Sequence, residues 1–406
     1  MKEIPVGGKL MKILNLMVKG FRSLADVEWN PGDLNVVIGP NASGKSNLLR
    51  VVELLAVSAR GGLAKYIQRE GGMGPLVWDG TADSIRISTK FSPLDPTKDA
   101  QFCHTYQLEL SRLGNTSAYR IGSELLGNFS KVEAGLKDQP FKILERLPHR
   151  AVVFDKHEHQ FAAPEESIPE EETLLSVAAG PFPRNDEIPK YQRELSSWSI
   201  YQDIRTDRDA VVRQPPVTRV ERKINSDGQN LVSVLHTLYT GDREFKHEVN
   251  VAMKAAFGEE FEELSFQPAA DQLIQFRLVW KSLRREQSAA DLSDGTLRFL
   301  LLLAVLANPA PPPLIAIDEP EMGLHPSMLP IIAEYAAGAA ARSQVILTTH
   351  SPAFLDAFRV VPTVTVVNWS EGRTKLQVRS GEELAYWLKQ YTLGEIYRTG
   401  ELEAIG

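Results

Sequence analysis

The chain has 406 residues, of which 43% are apolar and 24% charged, and its formal net charge is −7. These proportions indicate an ordinary folded protein with one large core or two modest ones, and the negative charge excludes a broad positive field that would gather nucleic acid. A single cysteine, Cys103, excludes a disulfide framework and an all-cysteine zinc site within one chain, and favours a reducing, cytoplasmic location. The most apolar run, 299–307, is too short to span a bilayer, so no membrane role is indicated. Residues 1–10 contain no apolar signal-peptide core, and Met11 is predicted to be the natural start.

The run GPNASGKS follows the apolar, strand-like segment 34–38 and precedes a helix-like segment. A phosphate-binding P-loop requires this order, because its glycines let backbone N–H groups point at phosphates and the helix start adds a positive dipole end. Lys45 is expected to reach the β- and γ-phosphates, and the Ser46 hydroxyl to ligate Mg²⁺. The alternative, a glycine-rich turn before a helix, leaves Lys45 without a role. The sequence therefore predicts a nucleoside triphosphate site formed by Gly39, Asn41, Ala42, Ser43, Gly44, Lys45, Ser46 and Asn47.

The middle of the chain contains strand-like, loop-like and helix-like stretches in turn. Alternation over 84–91 and 106–110 predicts antiparallel strands with one wetted face. Many prolines and acids over 162–189 indicate a surface connection with at most a short helix. Helical spacing then predicts helices over 225–240 and 243–257, separated by Gly241, and strands around 263–266 and 272–280 follow. No sustained heptad pattern supports a long coiled-coil arm.

Basic residues in two stretches are the local candidates for contact with DNA. Acidic residues interleave with most of them, which favours a solvated, salt-bridged face over a patch that contacts phosphates. These basic residues are Arg205, Arg208, Arg213, Arg219, Arg222 and Lys223, with a second cluster at Lys281, Arg284 and Arg285.

From residue 291 onward helices and strands alternate: a helix over 293–307, a strand over 314–317, a helix over 326–341 and a strand over 344–348. Such alternation predicts parallel strands with crossover helices, and we expect the P-loop half to join them in one core sheet.

The strand IAIDE ends in two acids, the pattern of a Walker B element. Asp318 is expected to hold Mg²⁺, directly or through water. Glu319 would lie just beyond the carboxyl end of the strand, where it could polarise a water for attack on the γ-phosphate. The alternative is a surface acid at a strand end.

His350 follows the next predicted strand, 345–349. A neutral imidazole there can hydrogen-bond the γ-phosphate or the attacking water, whereas the alternative is a structural histidine. The predicted catalytic residues are therefore Lys45, Glu319 and His350.

The segment LSDGT lies at the start of an apolar helix. Ser293 is a natural N-cap, Gly295 permits close backbone approach, and a helix start is a second anion site. Because one triphosphate hardly needs two such sites in one subunit, we expect the second to serve the nucleotide of a partner in a symmetric dimer.

Taken in order, the P-loop, LSDGT, IAIDEPEMGLHP and TTHSP resemble the motifs of ATP-binding-cassette ATPase heads. The closer resemblance is to the branch that contains structural-maintenance-of-chromosomes (SMC) proteins, RecF-like repair ATPases and small predicted ATPases called AAA family, type 21. This resemblance implies an α/β P-loop NTPase fold, with a mixed, mainly parallel core sheet flanked by helices, an antiparallel β subdomain and a helical insertion. It also divides the chain into a P-loop lobe with the β subdomain, 1–160, an inserted helical or lid region, 161–285, and a half that completes the ATPase core, 286–406.

Further residue roles follow only from the resemblance. Arg22, in VKGFRSL, matches a basic residue that approaches the nucleotide. Ser293, Asp294 and Gly295 match the signature motif, which acts in trans, although many transporter-type heads carry glycine in place of Asp294. Gly323, Leu324 and His325 match the D-loop, which crosses the dimer interface. The glutamine that usually couples nucleotide to conformational change is not assigned, with Gln68 and Gln160 as weak candidates.

The resemblance implies an ATPase with ATP and Mg²⁺ as cofactors, in which two subunits enclose two ATP molecules. No guanine-reading Asn-Lys-x-Asp element is present, and only about fifty residues after His350 leave no room for a Toprim nuclease domain. The leading expectation for its role is DNA repair or DNA maintenance, with DNA as a candidate partner. The alternative is a regulatory ATPase of an anti-phage defence or toxin-effector module, with the effector on another chain. The ATPase subunit of a transporter fits less well.

Overall fold

The computed structural model describes residues 11–93, 102–114, 116–130, 140–164, 167–181 and 183–404. The chain divides into two compact units built from non-consecutive stretches. The first unit takes in the chain as far as Gly32, then Ile38–Trp198 and Thr365–Val378; the second takes in Asp33–Val37, Ser199–Val364 and the chain from Arg379 onward. The three-part division at residues 160 and 285 stays a proposal.

The strands, in chain order, are β1 (Ile13–Phe21), β2 (Leu24–Trp29), β3 (Leu34–Ile38), β4 (Ser84–Phe91), β5 (Phe102–Arg112), β6 (Tyr119–Ser130), β7 (Phe141–Leu147), β8 (Arg150–Asp155), β9 (Gln160–Ala162), β10 (Ser199–Tyr201), β11 (Phe261–Pro268), β12 (Ile274–Trp280), β13 (Gln287–Ser288), β14 (Leu314–Asp318), β15 (Gln344–Thr349), β16 (Thr363–Ser370) and β17 (Arg373–Arg379).

The α-helices are α1 (Lys45–Ala59), α2 (Leu63–Arg69), α3 (Leu174–Ala178), α4 (Glu187–Ser197), α5 (Leu231–Gly241), α6 (Arg243–Phe257), α7 (Asp294–Leu306), α8 (Leu329–Ala340), α9 (Pro352–Leu355), α10 (Gly381–Leu384), α11 (Leu393–Arg398) and α12 (Glu401–Ala404). Short 3₁₀ turns include Trp78–Gly80, Val211–Arg213, Ala289–Asp291 and Pro326–Met328.

An antiparallel sheet forms most of the first unit. Its strand order is β2-β1-β4-β5-β6-β7-β8-β9, and every neighbouring pair is antiparallel. Along β4, Ile85 and Ile87 are buried while Arg86 is exposed, as alternation predicts for a sheet with one wetted face. The antiparallel strands predicted at 84–91 and 106–110 are therefore confirmed, and β5 extends beyond its predicted ends.

A buried carboxylate joins this sheet to α3. Glu124, on β6, accepts hydrogen bonds from the Tyr106 hydroxyl at 3.0 Å and from the backbone N–H groups of Leu174 and Leu175 at 2.5 and 2.9 Å. Burial raises the pKa of Glu124 to about 7. Thr173, the N-cap of α3, donates in turn to the Ser58 carbonyl of α1 at 2.8 Å.

Residues 162–189 were predicted to contain at most a short helix, and α3 is such a helix. Helix α4 begins near the end of this segment, and Ile188, on its buried side, packs into the core.

Parallel strands form the sheet of the second unit, in the order β10-β14-β15-β3. Strands β14 and β15 pair in parallel, as predicted, and β10, which was not predicted, also pairs in parallel with β14. The stretch Asp33–Val37 lies beside β15, since the Val345 N–H donates to the Asp33 carbonyl at 2.8 Å and the Asn35 amide to the Val345 carbonyl at 3.1 Å. The strand that precedes the P-loop therefore lies beside the strand that precedes His350.

Helices α5, α6, α7 and α8 pack around an apolar core in the second unit, and β11, β12 and β13 form a small antiparallel sheet there. Helix α6 has the predicted bounds. Helix α5 begins six residues later than the predicted start at residue 225, because Asn225 and Asp227 make turn hydrogen bonds to Gly228 and Gln229 that compete with helix formation. Among the described residues, no helix combines the length and the apolar content needed to cross a membrane.

Candidate functional site

The P-loop connects β3 to α1 in the first unit and uses unusual backbone angles. Gly39 has φ 149°, Ala42 φ 63° and Gly44 φ 110°. Glycine tolerates positive φ, whereas Ala42 adopts it at a cost in strain. A loop with such alternating angles is a common way to form an anion-binding nest of backbone N–H groups.

Two hydroxyl groups support this loop from neighbouring elements. Thr374 Oγ1 lies 2.8 Å from the Ser43 carbonyl oxygen and 2.7 Å from Ser23 Oγ, and the Asn47 side chain donates to Ser23 Oγ at 2.8 Å. A Cβ atom on Gly44 would lie 2.2 Å from Thr374 Oγ1, so only glycine fits there. Neither Ser23 nor Thr374 was predicted from the sequence. Ser23 stands next to Arg22 in the motif VKGFRSL, but no local pattern marks Thr374.

Lys45 is buried at the start of α1, and its Nζ donates to the carbonyl oxygens of Gly39 at 2.7 Å and Pro40 at 3.0 Å. The ammonium group is thus held against the loop that precedes it. Ser43 Oγ is also buried, and within the described part of the chain it has no hydrogen-bond partner. The loop therefore presents a cation, and a polar atom available for a further hydrogen bond. Asn41 and Ala42 are exposed, while Ser46 and Asn47 are half-buried on the first turn of α1.

Arg22 contacts a carboxylate in this structure. Its Nη2 lies 2.5 Å from Glu70 Oε2, and Arg50 Nη1 lies 2.7 Å from the same oxygen. Burial lowers the pKa of Arg22, and the charge of Glu70 acts in the opposite direction. Its predicted approach to a nucleotide stays a prediction.

The two acids of the Walker B element lie at the carboxyl end of β14, in the second unit. The Glu319 N–H donates to both the carbonyl oxygen and the hydroxyl of Thr348, at 3.2 and 3.1 Å, and the Thr348 hydroxyl donates to Asp318 Oδ1. One threonine of β15 therefore orients both acids. Thr348 was not predicted from the sequence, because only the pairing of β14 with β15 brings it opposite Asp318.

His350 lies beside these acids, as the sequence predicts, because the carboxyl ends of neighbouring parallel strands meet at one edge. Its Nδ1 is 3.0 Å from Glu319 Oε1. The side chains of His350 and Glu319 are 51% and 27% exposed, so solvent water reaches both.

A buried arginine, Arg298, and a half-buried glutamate, Glu321, lie close to Glu319. Arg298, on α7, donates from Nη2 to the Glu319 carbonyl oxygen at 2.8 Å, and burial lowers the pKa of Arg298. Glu321 accepts a hydrogen bond from the Thr349 hydroxyl, and burial raises its pKa. Helix α7 thus contacts the backbone of the predicted catalytic acid.

A glutamine that the sequence analysis did not single out lies at the same sheet edge. Strand β10 pairs in parallel with β14, and Tyr201 is opposite Ile317, so Gln202 and Asp318 are the next residues along the two chains. Gln202 Nε2 is buried and, in the part of the chain that the structure describes, has no hydrogen-bond partner. Of the weak candidates, Gln68 lies on α2 and Gln160 on β9, the outermost strand of the antiparallel sheet. Three-residue β10 is too short to show a pattern in sequence.

The signature residues lie at the start of α7. Ser293 caps this helix, and its Oγ accepts a hydrogen bond from the Thr296 N–H at 3.1 Å, as predicted. A Cβ atom on Gly295 would lie 2.4 Å from the Gly323 carbonyl oxygen, so the signature and the D-loop touch within the second unit. Asp294 forms an ion pair with Arg213.

The D-loop makes a turn at Gly323, which has φ 75°. Leu324 packs against the apolar core of the second unit. His325 is exposed, and its Nδ1 accepts a hydrogen bond from the Ser327 N–H at 3.3 Å at the start of a 3₁₀ turn. This local capping role was not predicted.

The basic residues considered for DNA contact behave differently from one another. Arg205, Lys281 and Arg285 pair with Asp207, Glu259 and Asp291 at 3.3, 3.4 and 3.6 Å, as expected for a salt-bridged face. Arg213 is buried and donates to backbone carbonyl groups, which removes it from the set of residues that could contact DNA.

Comparisons with known proteins show which family and which fold the chain has. The profile of a family described as "AAA domain, putative AbiEii toxin, Type IV TA system" matches residues 34–356. The chain is 22% identical over 350 residues to an OLD nuclease from Thermus scotoductus; this alignment covers 85% of the chain but only 60% of that protein.

Two solved structures share the fold. One is an Smc head bound to the C-winged helix domain of ScpA, with a TM-score of 0.57, 15% identity, and coverage of 92% of this chain and 99% of that one. The other is an Smc head domain with an extended coiled coil, bound to the C-terminal domain of ScpA derived from Pyrococcus furiosus, with a TM-score of 0.53, 12% identity, and coverage of 94% and 99%. The predicted P-loop NTPase fold is thereby confirmed. The chain belongs to the AAA-domain family whose profile it matches, and its resemblance is to the SMC and RecF-like branch of ATP-binding-cassette ATPases.

Proposed function

We propose that this protein binds ATP with Mg²⁺ and hydrolyses the ATP between two subunits. The observation that carries the proposal is the pair of Glu319 and His350, which lie 3.0 Å apart at the end of two parallel strands with solvent access. A carboxylate fixed in this way is a suitable general base for water.

The P-loop fits a triphosphate. Lys45 supplies a positive charge for the β- and γ-phosphates, and the buried Ser43 hydroxyl has a hydrogen bond to give, judged on the described residues. Glycine at position 44 allows the backbone to adopt a φ of 110° and to approach the Thr374 side chain closely.

The donors for Mg²⁺ are oxygens, which this ion prefers. Ser46 and Asp318 are the residues that would hold it. Within the described residues no group of three or more His, Cys, Asp or Glu could hold a metal ion. We therefore expect phosphate and water oxygens to complete the coordination. When bound, Mg²⁺ neutralises phosphate charge.

The chemical step is hydrolysis. A water oxygen attacks the γ-phosphorus, the bond from that phosphorus to the bridging oxygen breaks, and ADP and phosphate leave. The Glu319 carboxylate accepts the proton of the water, and His350 holds that carboxylate in place through Nδ1. Thr348 fixes the backbone of Glu319.

The signature residues Ser293, Asp294 and Gly295 would act on the nucleotide of a second copy of this chain, next to the D-loop residues Gly323, Leu324 and His325. In support, Gly295 and Gly323 touch, and both Met322 and His325 are exposed. We assign the coupling role to Gln202, because it follows the strand beside the Walker B strand and its Nε2 has no hydrogen-bond partner among the residues that the structure describes.

Two variants test the shared site. Lys45→Ala should lose ATP binding, because the γ-phosphate loses its main counter-ion. Ser293→Arg should bind ATP but not associate on adding it, measured by light scattering. Association of Ser293→Arg equal to wild type would contradict the shared site, and unchanged ATP binding by Lys45→Ala would contradict the P-loop assignment.

For the biological role we propose DNA repair or DNA maintenance, in the cytoplasm. The support is that a relative is named a nuclease and that SMC heads share the fold. A second candidate is a regulatory ATPase in anti-phage defence that acts with an effector protein, which the toxin–antitoxin description of the family favours.

One assay separates these roles. ATP turnover is measured with and without double-stranded DNA, at two salt concentrations. A DNA-acting protein should show stimulation that falls steeply with salt, since phosphate contacts release counterions. Absence of stimulation, with an effector that copurifies, would favour the defence role.

A further inference from the structure

Arg213 is a buried arginine whose contacts concentrate on the signature segment. Its side chain is 7% exposed. Its Nη1 donates to the Leu292 carbonyl oxygen at 2.7 Å and more weakly to those of Ala289 and Ala290 at 3.2 and 3.3 Å, and its Nη2 pairs with the Asp294 carboxylate. The two residues that flank Ser293 are thus both held by one guanidinium group.

The same guanidinium holds a second segment. Nε donates to the carbonyl oxygens of Thr206 and Asp207 at 3.0 and 2.9 Å, and Nη2 donates to Thr206 at 2.8 Å. Gln202 directly follows the last residue of β10, and Thr206 lies four residues after Gln202. The segment that follows Gln202 and the segment that begins the signature helix therefore meet at Arg213.

We propose that Arg213 is a positioning residue that sets the place of Ser293 and couples it to the segment after Gln202. The coupling part rests on the proposed function, in which Gln202 responds to the nucleotide of its own subunit and Ser293 serves that of the partner. A change at Gln202 reaches Ser293 through Thr206 and Asp207, because their carbonyl groups share one planar cation with Leu292 and Asp294.

Only arginine has the required chemistry at this position. Its planar fork offers five N–H donors in fixed directions, whereas lysine offers one compact ammonium group. The acceptors point at the guanidinium from two segments, so Arg213→Lys keeps the charge but leaves several buried carbonyl groups without a donor.

Hydrogen exchange tests the positioning without any nucleotide. In Arg213→Lys and Arg213→Met, the amides of Thr296 and Leu297, which donate to the Ser293 hydroxyl and carbonyl oxygens, should exchange at least about tenfold faster than in wild type, while those of α1 should not change. A matched control is Asp207→Asn, because Arg213 contacts the Asp207 carbonyl and not its carboxylate. Unchanged exchange of these two amides in a folded Arg213 variant would overturn the proposal.

A milder variant serves if the Arg213 variants do not fold. Asp294→Asn removes the ion pair only, and the Asp294 side chain is 64% exposed, so folding should survive. Faster exchange of the Thr296 amide in Asp294→Asn would support the proposal, and exchange equal to wild type would overturn the part of it that assigns positioning to the Asp294 ion pair.

Association tests the coupling. In protein that also carries Glu319→Gln, which blocks the proposed proton transfer, Arg213→Lys should weaken ATP-dependent association about 2- to 30-fold while ATP affinity stays unchanged. Equal loss of ATP affinity would show a general structural effect and overturn the coupling. Failure of the Glu319→Gln protein itself to associate would instead count against the proposed function, and the exchange result would still decide the positioning.

Discussion

His350 Nδ1 lies 3.0 Å from Glu319 Oε1, although 31 positions separate the two residues in sequence. Glu319 holds φ at 46°, in the left-handed region that non-glycine residues rarely adopt. The Thr348 hydroxyl and carbonyl oxygen, together with Arg298, fix the peptide groups on either side of it. Strain held by so many contacts is typical of a functional site.

Glu319→Gln should lower kcat for ATP hydrolysis by about 10²- to 10⁴-fold, because an amide cannot accept the proton of water. ATP affinity should stay close to wild type. Single-turnover hydrolysis and equilibrium ATP binding measure the two effects. Glu334→Gln, an exposed glutamate of α8, is the control and should hydrolyse normally. Turnover of Glu319→Gln at the wild-type rate would remove Glu319 as the base.

Thr348→Val should lower kcat by about 5- to 150-fold, because valine keeps the shape of threonine but leaves Asp318 without its hydroxyl donor. Thr348→Ser keeps the hydroxyl and should retain most of the activity. Steady-state kinetics of both variants measure the difference. If valine and serine behave alike, the hydroxyl does not orient the acids.

Gly44→Ala should abolish ATP binding, since the new Cβ would lie 2.2 Å from Thr374 Oγ1 at φ 110°. The matched control is Gly80→Ala, where φ is also positive at 64° but no atom of the described residues lies within 4 Å of the new Cβ. Both variants carry backbone strain, and only Gly44→Ala adds the clash at the P-loop. Titration with a fluorescent ATP analogue measures binding; loss of binding in both would assign the effect to strain in general.

Stability should fall as pH rises from about 4.5 to about 7, through the titration of Glu124. Burial raises the pKa of this group in the folded state, so folding takes up a proton and the contribution is fully present only below the unfolded pKa. The size is about 3 kcal/mol, at 1.36 kcal/mol per pKa unit. Chemical denaturation across this pH range measures it.

Glu124→Gln is the control for this pH dependence, because glutamine does not titrate. The difference in unfolding free energy between wild type and Glu124→Gln should shift in favour of the wild type as pH falls. A difference that is constant from pH 4.5 to pH 7 would show that Glu124 titrates normally.

Gly338→Ala should raise the unfolding free energy by about 0.5–1 kcal/mol, because glycine inside a helix costs conformational entropy. Gly338 lies in α8 and is exposed, and in the described part of the chain no atom lies within 4 Å of an added Cβ. Thermal unfolding measures the change. A decrease in the unfolding free energy would mean that the added methyl group clashes with another part of the protein.

Local patterns were sufficient for much of the fold. The alternation of β4 and the apolar spacing of α6 gave their bounds, since each buries one side against the core. The P-loop, Walker B and signature residues were predicted from short motifs, because backbone angles and helix caps there depend on neighbours in sequence.

The residues that were missed act through partners far away in the chain. Thr374 lies 331 positions from Ser43, and Arg213 lies 79 from Leu292. No periodic pattern records such pairs. Arg213 was grouped with surface arginines because its charge is visible in sequence and its burial is not. Gln202 follows a strand of three residues, which is too short for a period to show.

Asn35 and Val345, which lie on neighbouring strands, are 310 positions apart, so the ribosome makes one strand well before the other. At 5–20 residues per second, roughly 15 to 60 s pass after the strand at Leu34 is made before its neighbour β15 exists. Throughout that interval the apolar run LNVVI offers an open edge of the kind that recruits other chains. Newly made protein should therefore depend on a chaperone that shields this strand until β15 has been made.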